Sequence, residues 1–114
     1  MQIRKKSTEI FLGKELRIAN TFFSRLKGLM FVDSMEGFDA LLITRCNSIH
    51  NFFVRFPIDV IFLNSEFKVV KIIKSFKPWR VSGIYFSASQ VLELPENTIT
   101  DEIQCGDYLE VINV

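Results

Sequence analysis

Hydrophobic and polar positions alternate along most of this chain with the two-residue period of half-buried β-strands. Residues 7–12 and 15–19 alternate around Gly13 and Lys14, which predicts a first β-hairpin. Ile58–Leu63 and residues 67–73, joined by a polar turn at 64–66, predict a second. Further strands are predicted at residues 40–43, 90–94 and 108–114.

The period changes once, near the end of the first quarter of the chain. Apolar side chains between residues 22 and 30 recur at helical spacing, after a capping residue at Asn20 or Thr21 and with Gly28 as a stop. No strand–helix–strand alternation follows, so we expect a mainly antiparallel sheet. The pattern predicts a mainly β (β-rich α+β) fold: an antiparallel sandwich or partly closed barrel of about seven strands, with one short helix near residues 21–30.

The amino-acid composition supports a sheet-based core and excludes some classes of binding partner. The 114 residues, with no linker-like stretch, are expected to form a single domain, 1–114, and the 12 phenylalanines favour β structure. A net charge of +1 argues against nucleic-acid binding, and no apolar run is long enough to span a bilayer. Two distant cysteines and no leader-like start predict a cytoplasmic protein with reduced thiols. We expect a monomer without cofactor or metal.

Five phrases stand in an order that is typical of one protein family. Residues 25–30 read Arg-Leu-Lys-Gly-Leu-Met, and residues 48–59 read Ser-Ile-His-Asn-Phe-Phe-Val-Arg-Phe-Pro-Ile-Asp. Pro-Trp-Arg at 78–80, Val-Leu-Glu-Leu-Pro at 91–95 and Gly-Asp at 106–107 follow. The set resembles the domain of unknown function 192 family (uncharacterised protein family 0127) of bacteria and archaea.

The resemblance covers roughly residues 16–112 of a chain of ordinary domain size. Asn51 and Val54 stand where a branch of the family has Thr and Met, and Glu96-Asn97 replaces its usual Ala-Gly. The resemblance implies a compact β-rich fold with a small helix, and it implies no established activity.

The only histidine, His50, is the first candidate for chemistry near neutral pH. On an extended strand, Cys46, Ser48 and His50 would share one face, which suggests a Cys/His nucleophile pair or two ligands of a metal site. Residues four apart on a strand are roughly 13 Å apart, too far for a hydrogen bond. Packing of Cys46 as a small apolar side chain is the alternative.

Two carboxylates interrupt apolar strands. Asp59 lies within Ile58–Leu63, where a structural pair with Arg55 or a role as catalytic acid are the two interpretations. Glu93 lies within residues 90–94, and it is either an ordinary outward-facing residue or a second carboxylate that flanks a substrate with Asp59.

Aromatic residues supply the remaining candidates. Trp79, beside Arg80, either stacks on a planar or sugar ligand or plugs one end of the barrel. A run of aromatic positions contains Phe52, Phe53 and Phe56. It indicates either an exposed aromatic patch or a central strand covered by the sheet and the helix, and we favour the strand.

Three hypotheses about function follow from the sequence. The first is a non-catalytic binding or accessory module whose groove holds a small polar ligand or a protein segment; the groove residues are Arg25, His50, Asp59, Trp79 and Arg80. The second is a hydrolase that uses His50 with Asp59 or Glu93. The third is a structural domain that pairs through an exposed sheet edge. In each, residues 46–63 form the centre of the core and one wall of any site.

Overall fold

Eight β-strands and one short helix make up the regular structure of residues 1–30 and 32–113, the part of the chain that the computed structural model describes. The elements are β1 (Gln2–Lys5), β2 (Phe11–Gly13), β3 (Leu16–Ala19), α1 (Phe22–Lys27), β4 (Ala40–Thr44), β5 (Ile58–Leu63), β6 (Val69–Phe76), β7 (Gln90–Pro95) and β8 (Leu109–Ile112).

The strands form two sheets rather than a closed barrel. The larger sheet has the order β3-β4-β7-β5-β6, and the smaller has the order β2-β1-β8. Every neighbouring pair is antiparallel except β3 with β4. The β-rich, sandwich-like fold with one short helix is therefore confirmed, and so is the hairpin of β5 and β6.

The predicted first hairpin is wrong. The strand β2 pairs instead with β1, which the pattern did not predict, and β3 pairs in parallel with β4. The chain crosses between the sheets at residues 13–15 because the Asp39 carboxylate accepts the backbone N–H groups of Lys14 and Glu15, at 3.1 and 2.9 Å. Gly13 permits this crossing, since a Cβ there would lie 2.5 Å from that of Ala40.

The larger sheet is covered on both faces. One face packs against the small sheet through a first core, which includes Ile3, Leu12, Leu42, Ile61, Leu63, Leu92, Leu94 and Leu109. The other face packs under loops, through a second core: Leu29, Ile43, Ile49, Val54, Ile58, Val60, Phe62 and Val91. Since β5 is buried at all six positions, its sequence reads as a nearly continuous apolar run.

The helix α1 begins as predicted but buries less than predicted. Thr21 is the N-cap, and its side chain accepts the backbone N–H of Ser24 at 3.2 Å while the Ser24 hydroxyl accepts the Thr21 backbone N–H. The helix ends before Gly28, where φ is +48°. Phe22 and Phe23 are exposed, no residue of the helix itself is buried, and Leu29 and Met30 beyond its end pack in or against the core. No helix within the described residues has the length and apolar content that crossing a bilayer requires.

Asp59 stabilises the junction of β5, β6 and the loop after β7. Only 1% of the residue is exposed. One carboxylate oxygen accepts the Ser75 backbone N–H and the other accepts that of Ile99, both at 3.0 Å. The expected ion pair with Arg55 is absent, because the Arg55 guanidinium binds Asp33 at 2.8 Å instead. Asp59 is thus a structural residue that works through backbone amides.

We expect Asp59→Ala to destabilise the protein by about 3 kcal/mol, since one buried and one half-buried backbone donor would each lose a partner, at a cost of about 1–3 kcal/mol for a buried donor. Urea unfolding measures this loss. Asp101→Ala is the matched control, because that carboxylate is exposed and lies 3.9 Å from Lys74 Nζ, and we expect a change below about 0.5 kcal/mol. Equal losses in the two variants would contradict this account of Asp59.

Candidate functional site

A cavity of about 140 Å³ lies against the second core, between the end of α1, the loop after β4 and the middle of β7. Its apolar wall comes from Ile43, Ile49, Val54 and neighbouring residues. The polar side chains that line it are Arg25, Lys27, Cys46, Ser48, His50 and Glu93. Three of the residues that the sequence analysis singled out around position 48 therefore meet here, together with Arg25 and Glu93.

Glu93 is the most unusual group in this cavity. It is 4% exposed, and neighbours on both sides along β7 are fully apolar. Its partners across the sheet, Leu41 on β4 and Val60 on β5, are apolar as well. No hydrogen bond to its carboxyl is found among the described residues, and burial alone raises its pKa from 4.5 to about 8. At pH 7 the side chain is therefore mostly a neutral carboxylic acid.

The Cys46 thiol acts as a hydrogen-bond donor. The segment that carries it is a loop, so the extended strand that would place Cys46, Ser48 and His50 on one face is not present, and the Sγ–H group donates to the Ser48 carbonyl oxygen at 3.0 Å. Burial raises the pKa of the thiol, that hydrogen bond opposes the rise, and the nearby Glu93 adds to it. Because a thiolate is disfavoured, the arrangement does not provide an activated nucleophile.

His50 is oriented by its own loop. Its Nδ1 accepts the Phe52 backbone N–H at 3.2 Å, so in the neutral ring the proton is on Nε2. The backbone of His50 pairs with Val81, which fixes this loop against residues 79–82. His50 therefore offers an N–H donor from a rigid position.

Two cations line the cavity without a carboxylate partner among the described residues. Arg25 makes only long hydrogen bonds to backbone oxygens, to Thr21 at 3.3 Å and to Arg45 at 3.5 Å. Lys27 follows it in the last turn of α1. Lys27 was not predicted as a site residue. Its place in the Arg-Leu-Lys-Gly phrase was the one feature of the sequence that could have indicated this role.

The other carboxylate, Asp59, lies away from this cavity. In the β5–β7 register Asp59 is opposite Leu94 and Val60 is opposite Glu93, so the two carboxylates point to opposite faces of the sheet. They do not flank a common substrate. Among the described residues, no three His, Cys, Asp or Glu side chains are grouped so that they could hold a metal ion.

Trp79 and Arg80 lie on a separate surface next to the cavity. Trp79 is 62% exposed and packs edge-on against Phe53, with ring centroids 5.0 Å apart. Phe52 lies between Trp79 and His50, at centroid distances of 5.9 and 5.2 Å. We call Phe52, Phe53 and Trp79 the aromatic surface. The central strand predicted through residues 52–56 is thus wrong, and the alternative, an exposed aromatic patch, is what the structure has.

Asn51 holds the aromatic surface together, and the sequence analysis missed this role. The residue is fully buried. Its side-chain amide donates to the carbonyl oxygen of Phe76 at 3.0 Å, and its backbone carbonyl accepts the Trp79 N–H at 2.9 Å. Both Phe53 and Trp79 have positive φ, 62° and 64°, a conformation that side chains of this size rarely adopt. The surface is therefore built from two strained loops joined through one amide.

The residues of the groove that the sequence predicted therefore lie in three separate places. Arg25 and His50 line the cavity, Asp59 is in the interior on the other face of the sheet, and Trp79 belongs to the aromatic surface. Arg80 is exposed at the border of that surface, on a shallow depression shared with Phe76 and Val81.

We expect Glu93 to make stability pH-dependent. The pKa of Glu93 is higher in the folded protein than in the unfolded chain. The stability that the protonated carboxyl gives the folded protein is therefore fully present below pH 4.5 and is lost as pH rises to about 8. Within that window, stability should fall by about 1.4 kcal/mol per pH unit relative to Glu93→Gln, which cannot ionise. Urea unfolding of both proteins across this range measures the difference. A difference that is constant with pH would contradict a protonated Glu93.

Comparisons with known proteins agree with the motifs. The sequence profile of the DUF192 family, described as Uncharacterized ACR, matches residues 2–111. A UPF0127 protein of Thermococcus sibiricus is 37% identical over 103 residues, or 87% of this chain and 66% of that protein. A UPF0127 protein of Pyrococcus furiosus is 41% identical over 106 residues, or 86% of this chain and 90% of that protein. The chain thus spans just under two thirds of the first of these relatives.

A solved structure shows the same fold. The crystal structure of a protein of unknown function from Novosphingobium aromaticivorans matches with a TM-score of 0.79 and 20% identity, over 97% of this chain and 84% of that one. This likeness concerns the fold alone, whereas the profile and the archaeal relatives concern the sequence. On that evidence the chain belongs to the uncharacterised domain of unknown function 192 family, as its ordered motifs predicted.

Proposed function

We propose that this chain is a small, non-catalytic binding or accessory module, and that the polar end of its ligand enters the cavity lined by Glu93, Arg25 and His50. The observation that carries this proposal is the Glu93 carboxyl, buried without a hydrogen-bond partner among the described residues. Because this carboxyl faces the cavity, a ligand or water there would supply its hydrogen-bond partner.

The size of the cavity limits what enters it. A cavity of about 150 Å³ in a protein interior can hold a benzene molecule, so about 140 Å³ has room for roughly six non-hydrogen atoms. The ligand is thus a very small polar molecule, or the polar end of a larger one. A larger ligand would extend across the aromatic surface, which adjoins the cavity through His50 and Phe52.

A hydrolase is the second candidate, and one observation favours it. His50 and Glu93 line the same cavity, and an acid with a pKa near 8 can donate a proton at neutral pH. The pairing of His50 with Asp59 has no such support. Neither candidate nucleophile in the described part of the cavity is activated, since the Cys46 thiol is protonated and hydrogen-bonded to a carbonyl and the Ser48 hydroxyl has no hydrogen bond to a described base. The binding module therefore remains our preferred function.

A ligand screen tests the preferred function and its location together. We expect a panel of small polar compounds, followed by thermal shift, to stabilise the wild type and Trp79→Ala equally, because the cavity does not include Trp79. Ser48→Phe should abolish the shifts, since the larger side chain would fill the cavity. Circular dichroism of Ser48→Phe checks that this variant folds.

Two outcomes would contradict the proposal. One is the absence of any hit on the wild type. The other is a set of hits that Trp79→Ala removes and Ser48→Phe retains, because the ligand would then bind the aromatic surface alone. Release of a product from a hit, followed by NMR, would favour the hydrolase instead.

A further inference from the structure

The polar side chains of the cavity are nearly all hydrogen-bond donors. Arg25 and Lys27 carry only donors, and Nε2 of His50 is a donor because Nδ1 is already occupied by the Phe52 N–H. The Ser48 hydroxyl makes no hydrogen bond to another described residue, whereas the Cys46 thiol already donates to the Ser48 carbonyl. Among the described residues that line the cavity, Glu93 is the only acidic one.

The charged side chains that line the cavity also favour an anion. Neither Arg25 nor Lys27 has an acidic partner among the described residues, so two positive charges stand beside a low-dielectric wall. Donors that converge in such a setting favour an anion, and hydrogen bonds to an ionised acceptor are about twice as strong as neutral ones. A neutral sugar or alcohol would leave these charges uncompensated.

We propose that this cavity, taken as the ligand site proposed above, binds a small carboxylate anion, with Arg25 and Lys27 supplying the opposite charge and Glu93, Ser48 and His50 supplying hydrogen bonds. The cavity volume of about 140 Å³ admits an acid of roughly six non-hydrogen atoms, and part of a larger acid would extend through the mouth. The bound carboxylate would share the Glu93 proton, as paired carboxyl groups do.

A carboxylate ligand makes binding depend on the protonation of Glu93. The ionised form would repel the ligand, so affinity should fall once pH rises past about 8. Within the described residues, the other titratable groups around Glu93 are Arg25, Lys27, Cys46 and His50. Ionisation of Cys46 or deprotonation of His50 would also weaken anion binding, whereas the facing residues of β4 and β5 are apolar.

Acetate and acetamide are the matched probes, because they have the same shape and differ in charge. We expect acetate to shift the backbone amide resonances of cavity residues such as Ser48 and His50 in ¹H–¹⁵N NMR spectra, with an apparent Kd in the millimolar range for so small a ligand. Acetamide should bind at least tenfold more weakly. Between pH 8 and pH 9.5, wild-type affinity for acetate should fall by at least tenfold.

Three variants separate the contributions. Glu93→Gln should keep acetate binding and lose most of the pH dependence, and any remaining dependence would come from His50, Cys46 or Lys27. Arg25→Gln should weaken acetate binding by about tenfold. Arg80→Gln removes the same charge from outside the cavity and should leave binding unchanged.

The outcomes distinguish this inference from the proposed function. If acetamide shifts the same resonances as strongly as acetate, the cavity binds polar ligands but has no preference for a carboxylate, and the inference is overturned. If acetate binds with equal affinity in wild type across the pH range, the role of Glu93 is overturned. If neither probe binds, the carboxylate is rejected, and the wider ligand screen alone decides whether the cavity is a site.

Discussion

A carboxyl group inside a protein must either find hydrogen-bond donors or give up its charge, and adjacent strands of the larger sheet show both solutions. Asp59 on β5 receives two backbone N–H groups and fixes the bulge of β6 and the loop after β7. Glu93 on β7 receives none, and burial keeps it protonated near neutral pH. The two residues are neighbours in the sheet, yet they face opposite cores. One carboxyl thus stabilises the fold, while the other lines the cavity.

The cavity exists because the face of the sheet around Glu93 is covered by loops and a short helix rather than by another sheet. The smaller sheet seals the opposite face with closely packed aliphatic side chains. On the Glu93 side, the end of α1 and residues 46–50 leave a gap with cationic side chains at its edge. Gly28 ends α1 at a positive φ, and a Cβ there would lie 3.9 Å from the Glu93 carboxylate oxygen. The irregular part of the chain therefore forms most of the cavity wall, and the regular part positions it.

Much of this fold could be predicted from local patterns, and the failures have identifiable physical causes. The strand at Ile58–Leu63, its hairpin with β6 and the Thr21 cap followed from periodicity and capping chemistry, which act over a few residues. The crossing at residues 13–15 depends on Asp39, more than twenty residues away, so no local pattern indicates it. The site was predicted in part. Cys46 was paired with His50, and Arg25 and Glu93 were also candidates, but the meeting of all four depends on the conformation of the loop after β4, and the separation of Asp59 from Glu93 depends on strand register.

The account rests on Glu93 being a neutral acid inside the folded protein, and the titration of its own carboxyl tests that claim most directly. Side-chain carboxyl ¹³C signals of a protein labelled at glutamate report ionisation of each residue, and the signal missing from Glu93→Gln identifies Glu93. The account predicts that this signal titrates with a midpoint near pH 8 in the ligand-free protein. A midpoint near 4.5, the ordinary value for a glutamate, would contradict it.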